Sequence, residues 1–373
     1  MKIPAFGVEE WLNENENKAI YDIAGSSIES FSLKEIIEIN DDSFINFFKK
    51  LEHTKMNYGS IEGSYEFKKE ISSLYKNIPP ENILQTNGAT GANLLAFYAL
   101  IEPQDHVITL YPSYQQLYDI PKSFGADVDY WRIDEKNNWM PHINELKKLI
   151  KPNTKMICLN NANNPTGTVF EETFLKEVVS IADVVGAYIL VDEVYTPFDS
   201  SVKFTSIVDL YHKGIATNSI SKTYSVPGIR IGWTASNSET ANIFRKYRDY
   251  TMICAGVIDD AIAVHVMKNK QAILNRNKNL VLNNLKILID WVNSEPRVSL
   301  IPPKMVSTSF IKLDIPLEIE EFCINLLSKY GVLLVPGNKF DMPGYARLGY
   351  CTSTKTLKNG LELLSKYLKT FDK

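Results

Sequence analysis

The sequence predicts an α/β protein, with a large domain built on a mostly parallel sheet covered by helices and a small α+β domain attached to it. Three observations lead there. The middle of the chain alternates short β-prone runs with helix-length amphipathic segments, the pattern of strand–helix–strand units. Beyond about residue 270 that alternation stops, and a long stretch with apolar residues at three- and four-residue spacing gives way to strand-like runs and a helical tail. The 373 residues are too many for one small core and fit a large domain with a smaller one joined to it.

The start, "MKIPAFGVEEWLNENENK", has no long apolar run, and its "NENENK" reads as a solvated turn. No window reaches the ~20 apolar residues of a membrane span, so a cytoplasmic protein is expected. Four β-prone runs follow: "HVITLYPSY" (106–114), "KMICLNNANNPTG" (155–167), "AYILVDEVY" (187–195) and "GIATNSISK" (214–222). Between them "INELKKLI" and "EETFLKEVVSIADVVG" have helical spacing. "QAILNRNKNLVLNNLKILIDWVNS" reads as a connecting helix, "TSFIKLDI" and "GVLLVPG" as strands, and "TKTLKNGLELLSKYLKTF" as a final helix. The expected division is a large domain over 46–280 and a small one made of 1–45 with 281–373.

Composition narrows the function classes. With 45% hydrophobic and 23% charged residues the chain is an ordinary globular one, neither disordered nor fibrous. A net charge of -4 leaves no basic footprint for nucleic acid. The four cysteines show no CxxC and read as buried free thiols, and the five histidines form no HxxH or HExxH, so no metal site is expected. Neither GxGxxG nor GxxxxGK[ST] occurs, which removes the nicotinamide and P-loop readings of the α/β pattern.

The chemistry gathers where the β-prone runs end, because loops at the carboxyl edge of a parallel sheet carry side chains on a rigid base. "AYILVDEVY" leads five uncharged residues into Asp192, Glu193 and Tyr195, and "NNPTG" is a tight turn presenting Asn164. "TNGATGANLLAF" places Gly88, Ala89 and Thr90 at a helix start whose free N–H groups suit a phosphate. "TNSISKTYSVPGIRIGW" holds Lys222 among hydroxyl residues and, eight positions on, Arg230 between β-branched neighbours. Taken singly these are a cap, a turn, a helix start, a surface lysine and a surface arginine. Together they supply an amine of lowered pKa, an anion corner and a carboxylate, which is what pyridoxal phosphate requires.

With these residues in hand, the chain resembles the fold-type I pyridoxal-phosphate-dependent aminotransferases, the class I/II aspartate aminotransferase superfamily, over nearly its whole length. The resemblance implies a seven-stranded sheet in the large domain. It also implies that Lys222, in SxxK with Ser219, forms the Schiff base, while Ser219 and Arg230 hold the phosphate. Asp192 would pair with the pyridine nitrogen, Tyr195 and Asn164 with the ring's phenolic oxygen, and Tyr114 in "YPSYQQLY" would stack on the ring. "YGSIEGSYEFKK" resembles the segment whose tyrosine, here Tyr58, reaches the neighbouring subunit's phosphate, which implies a homodimer; the family's Leu-Arg pair here reads Phe67-Lys68. "YARLGY" makes Arg347 the clamp for the substrate carboxylate. Around Gly25 the chain reads "IAGSSIES" where many relatives have Gly-Glu-Pro at the substrate entrance, and this serine-rich version is similar to the capreomycidine-synthase-like branch. No equivalent of the arginine that selects dicarboxylic acids is found. The implied reaction is transfer of an amino group between an L-amino acid and a 2-oxo acid; carbon-sulfur lyases and amino-acid cyclases share the fold and the lysine. Intact Lys222, Asp192, Tyr195 and Arg230 count against an inactive binding protein.

Overall fold

The computed structural model describes residues 2–372. After a short β1 (Tyr21–Asp22), seven strands form the large sheet: β2 (Ile83–Asn87), β3 (His106–Tyr111), β4 (Asp127–Arg132), β5 (Thr154–Asn160), β6 (Tyr188–Asp192), β7 (Gly214–Ser219) and β8 (Ile231–Ala235). Their spatial order is β2-β8-β7-β6-β5-β3-β4, parallel except for β8, which runs against both β7 and β2. β3, β5, β6 and β7 correspond to the four runs singled out above, and their near-continuous burial is that of strands covered on both faces. The register sets Asn160 opposite Asp192, Asp192 opposite Thr217 and Ser219 opposite Gly232. Several chemistry-bearing residues therefore arrive at one edge of the sheet.

Helices cover the sheet where the sequence period is 3.6. The Glu172–Val185 helix buries Leu175, Val178 and Ala182 and ends at Gly186, whose φ of +68° suits glycine. The Gly88–Leu100 helix begins directly at the end of β2, so its first N–H groups open at the same edge as Asp192.

Four further strands, β9 (Val298–Leu300), β10 (Ser309–Leu313), β12 (Val335–Pro336) and β13 (Tyr345–Leu348), make an antiparallel sheet, while β11 (Val332–Leu333) pairs in parallel with β1. The Lys270–Ser294 helix runs unbroken through residue 280, and the Thr354–Leu368 helix closes the fold. No described helix is long and apolar enough to cross a membrane.

Two expectations need correction. "NENENK" is not a free turn: the Gly7–Asn15 helix runs into it and a 3-10 turn over Glu16–Lys18 continues it. Val8, Trp11 and Asn15 form one buried stripe, Trp11 Nε1 donates to the Leu334 carbonyl at 2.9 Å, and Asn15 Nδ2 donates to the Trp11 carbonyl at 2.9 Å. Tertiary anchoring at Trp11 thus overrides the polar composition. Of the cysteines, Cys158, Cys323 and Cys351 are buried and free, but Cys254 is half-buried, because it lies in a surface loop beside Tyr58.

Glu193, the neighbour of Asp192, points to a different environment. Its Oε1 accepts from Ser206 Oγ at 2.9 Å and from the Ile207 N–H at 3.0 Å, and burial pushes its pKa up from 4.5 to about 8. A carboxyl raised in the folded state stabilises it fully below the unfolded pKa, and that contribution is lost as pH rises toward the folded value. Between pH 4.5 and 8 the native protein is therefore expected to lose on the order of a few kcal/mol relative to Glu193→Gln, measured by denaturant unfolding across that range. Parallel profiles for the two proteins would refute this.

Candidate active site

Most of the residues singled out in the sequence meet in one cavity of about 550 Å³ at the carboxyl edge of the large sheet. Gly25, Ala89, Thr90, Tyr114, Asn164, Asp192, Tyr195, Ser219, Lys222, Arg230 and Arg347 all line it. Two do not. Gly88 lies just beneath, as the first residue of its helix, and Tyr58 stands apart, 82% exposed beside Met56, Ile253 and Cys254.

Lys222 follows β7 and reaches across to the N-terminal loop, where its Nζ donates to Ser26 Oγ at 2.8 Å and to Ser27 Oγ at 3.3 Å. Burial, then the positive charge of Arg347, lowers its pKa to about 8, against the opposing pull of Glu9 and Asp192. Roughly a tenth of the amine is thus uncharged at pH 7, far more than for an ordinary lysine, and able to act as a nucleophile or base.

Asp192 is buried at the end of β6. Its Oδ2 accepts from Asn93 Nδ2 at 2.9 Å and its Oδ1 from the Val194 N–H at 3.3 Å, and burial raises its pKa to about 6. Asn93 is in turn held by Thr217, whose Oγ1 donates to Asn93 Oδ1 at 2.6 Å. A side chain from the helix and one from β7 thereby fix the carboxylate's orientation.

The anion corner has its own steric logic. Arg230 and Gly88 both have positive φ, +55° and +65°, and a Cβ added at Gly88 would sit 2.8 Å from Arg230 Nη2. Gly232, on β8, lies so close that a Cβ there would come 2.3 Å from the Gly88 carbonyl carbon. Only glycines permit this packing, which brings the guanidinium over the helix start.

On the far side Arg347, from the middle of β13, is 2% exposed. Its Nη2 and Nε donate to the Ala24 carbonyl at 3.0 and 3.3 Å, and its Nη1 to Asn164 Oδ1 at 3.4 Å. Asn164 is itself set by Asn160, whose Oδ1 accepts its N–H at 2.7 Å. Tyr195 is buried beside Arg347, and burial raises its pKa to about 12. Tyr114 lies 5.2 Å from Phe6, centroid to centroid, and burial pushes its hydroxyl upward as well.

Sequence reasoning missed Asn93, Ser26, Ser27, Asn160, Ser221 and the cavity face of the N-terminal helix. The serine pair was visible in "IAGSSIES", but nothing in one dimension pairs it with a lysine 196 positions away. Asn93 carried a usable signal: a lone amide in the apolar "GANLLAF", two turns from a sheet edge, is a polar group that must find a buried partner.

These features belong together in a known class. The chain is a member of the aminotransferase class I and II family, which it matches across residues 25–364. It is similar to a solved PLP-dependent aminotransferase from Streptococcus suis 89-1591, with 58% identity, full coverage of both chains and a TM-score of 0.98. It is 29% identical to the aspartate aminotransferase of Thermotoga maritima over 86% of this chain and 85% of that protein. The capreomycidine synthase of Streptomyces vinaceus is 24% identical over 99% of this chain and 95% of its own. Membership makes pyridoxal phosphate the cofactor. The cavity fits that group: it offers an enclosed amine to an aldehyde, a buried carboxylate, and a glycine-dependent corner where an arginine meets free helix N–H groups.

Gly88→Ala is expected to weaken cofactor retention about tenfold, because the added methyl displaces Arg230 and strains a positive φ. Equilibrium dialysis of the holoenzyme measures this, and unaltered retention would show that Arg230 does not depend on the glycine.

Proposed function

We propose that this chain is an aminotransferase moving an amino group between an L-amino acid and a 2-oxo acid, with Lys222 as its acid-base catalyst. The main support is the enclosed Lys222 amine, of lowered pKa, in one cavity with the Asp192 carboxylate and the Arg347 guanidinium. Bound pyridoxal phosphate supplies an aldehyde carbon and a ring that accepts the electrons of a carbanion. Arg230, Ser219 and the N–H groups of Ala89 and Thr90 would hold its phosphate. Asp192 would hold the ring nitrogen in its protonated form, Asn164 and Tyr195 would face the phenolic oxygen, and Tyr114 would pack against the ring. Arg347 receives the substrate carboxylate in place of the Ala24 carbonyl, beside Asn164 and Gly25, so that the α-hydrogen faces Lys222. Lys222 Nζ would be the base that takes up the α-proton and gives it back, and the hydroxyls of Ser26 and Ser27, which accept from it at 2.8 and 3.3 Å, would steady the amine meanwhile.

A second reading is supported by the same serine pair and by the near-complete overlap with capreomycidine synthase: an amino-acid cyclase, with carbon-sulfur lyase chemistry as a further use of the same carbanion. Homodimerisation accompanies either reading. Tyr58, Met56 and Ile253 leave a largely exposed aromatic and apolar face, 82%, 67% and 48% accessible, suited to a second copy whose active site Tyr58 would enter.

Lys222→Ala is expected to lose both the visible absorption of the lysine-bound cofactor and turnover; a variant that keeps both sinks the assignment. In the cofactor-free protein, borohydride trapping of pyridoxal phosphate on Lys222 should accelerate as pH rises through about 8, where the amine loses its proton. Mass spectrometry of the labelled peptide reads this out, and a rate that climbs only near pH 10 would refute the lowered pKa. Paired amino acid and 2-oxo acid assays, with products identified, separate transamination from cyclisation and from release of ammonia and pyruvate.

A further inference from the structure

The cavity is charged unevenly. Its inner part holds three cations, Lys222, Arg230 and Arg347, against one carboxylate, Asp192, while its outer wall is the Gly7–Asn15 helix with its flanking residues, which turn Phe6, Glu9, Leu12 and Glu16 to the same space. Those positions are three, three and four residues apart and so share one helical face, beside the buried stripe of Val8, Trp11 and Asn15. The wall is anchored on two sides. The Gly7 N–H donates to Gln115 Oε1 at 2.8 Å, Gln115 Nε2 to the Ala5 carbonyl at 2.9 Å, and Trp11 Nε1 to the Leu334 carbonyl at 2.9 Å.

Neither glutamate is occupied elsewhere: among the described residues Glu9 and Glu16 form no ion pair and no side-chain hydrogen bond. The field of Glu9 nevertheless reaches inward, opposing the effect of burial on Lys222 and on Arg347. The three cations of the cavity each have a use in the reaction proposed above, as amine, phosphate partner and carboxylate clamp. Among the described residues no fourth cation lines the cavity to meet a second carboxylate.

We infer that the cavity takes an L-amino acid whose side chain ends in a cation: Phe6 and Leu12 flank its methylenes, and Glu9 and Glu16 pair with its terminal charge. This rests on the reading of Arg347 as the clamp for the α-carboxylate, which orients the side chain outward to the helix. The same two carboxylates repel an acidic side chain, so selectivity comes from repulsion as well as attraction. The preference is thereby opposite in sign to that of an enzyme for aspartate.

The test is titration of the holoenzyme with L-arginine, L-lysine, L-norleucine and L-aspartate, followed by cofactor absorption and, separately, by calorimetry. At least one cationic amino acid should bind about tenfold or more tightly than norleucine, with aspartate weakest. The arginine and lysine arms tell a guanidinium from an ammonium. The double variant Glu9→Gln with Glu16→Gln should lower the ratio of cationic to norleucine affinity about tenfold, and norleucine binding reports that the variant is folded. Equal affinities for norleucine and both cations, tighter binding of aspartate, or an unchanged ratio in the variant would overturn the inference. Failure here is separable from failure of the transamination reading. Cation-selective binding without a 2-oxo acid product overturns only the latter, and 2-oxo acid formed from neutral amino acids without cation preference overturns only the former.

Discussion

The hydrogen bond from Lys222 Nζ to Ser26 Oγ is the contact around which the site is built. An amine in that position is uncomfortable when charged, since little water reaches it and Arg347 lies near enough to repel it. Two hydroxyls can accept from an ammonium and equally donate to a neutral amine, so they hold the side chain without forcing either state. The bond also ties the end of β7 to the loop after β1, two segments that share no sheet. Together with Arg347 on the Ala24 carbonyl and Trp11 on the Leu334 carbonyl, that tie holds the N-terminal segment over the strand ends.

The other elements follow from needing charge at that depth. Asp192 is tolerated in the core because Asn93 and the Val194 N–H solvate it, and Asn93 is tolerated in an apolar helix because Asp192 and Thr217 use both ends of its amide. Arg347 is 2% exposed, with its fork spent on the Ala24 carbonyl and Asn164. A carbonyl is a weak partner for a buried guanidinium, so a carboxylate competes well for it. Three cations and the single carboxylate of Asp192 thus line the inner part and two carboxylates the outer helix, which orients any zwitterion that enters.

Much of this was legible in one dimension. The alternation of strands and helices follows from hydrophobic periodicity, which is local. The anion corner was readable because Gly88 and the spacing from Lys222 to Arg230 are short-range constraints of turn geometry. The strand ends carried Asp192, Asn164 and Tyr195 in plain sight, since a charge closing an apolar run marks a sheet edge. "NENENK" was misread because its polarity is local information, whereas its helicity depends on Trp11 finding Leu334, over three hundred residues away.

The sequence by itself therefore determined the class: an amine, a carboxylate, a glycine-bearing helix start and two arginines in one α/β chain, in the pattern of the aminotransferase class I and II family. Tertiary structure decided who stands next to whom. It set Ser26 and Ser27 on Lys222, Asn93 on Asp192, and a glutamate-bearing helix across the entrance. The division is physical. Backbone preferences and periodicity act between near neighbours and can be read from spacing, while desolvation and electrostatic fields sum over residues that only the folded chain brings together.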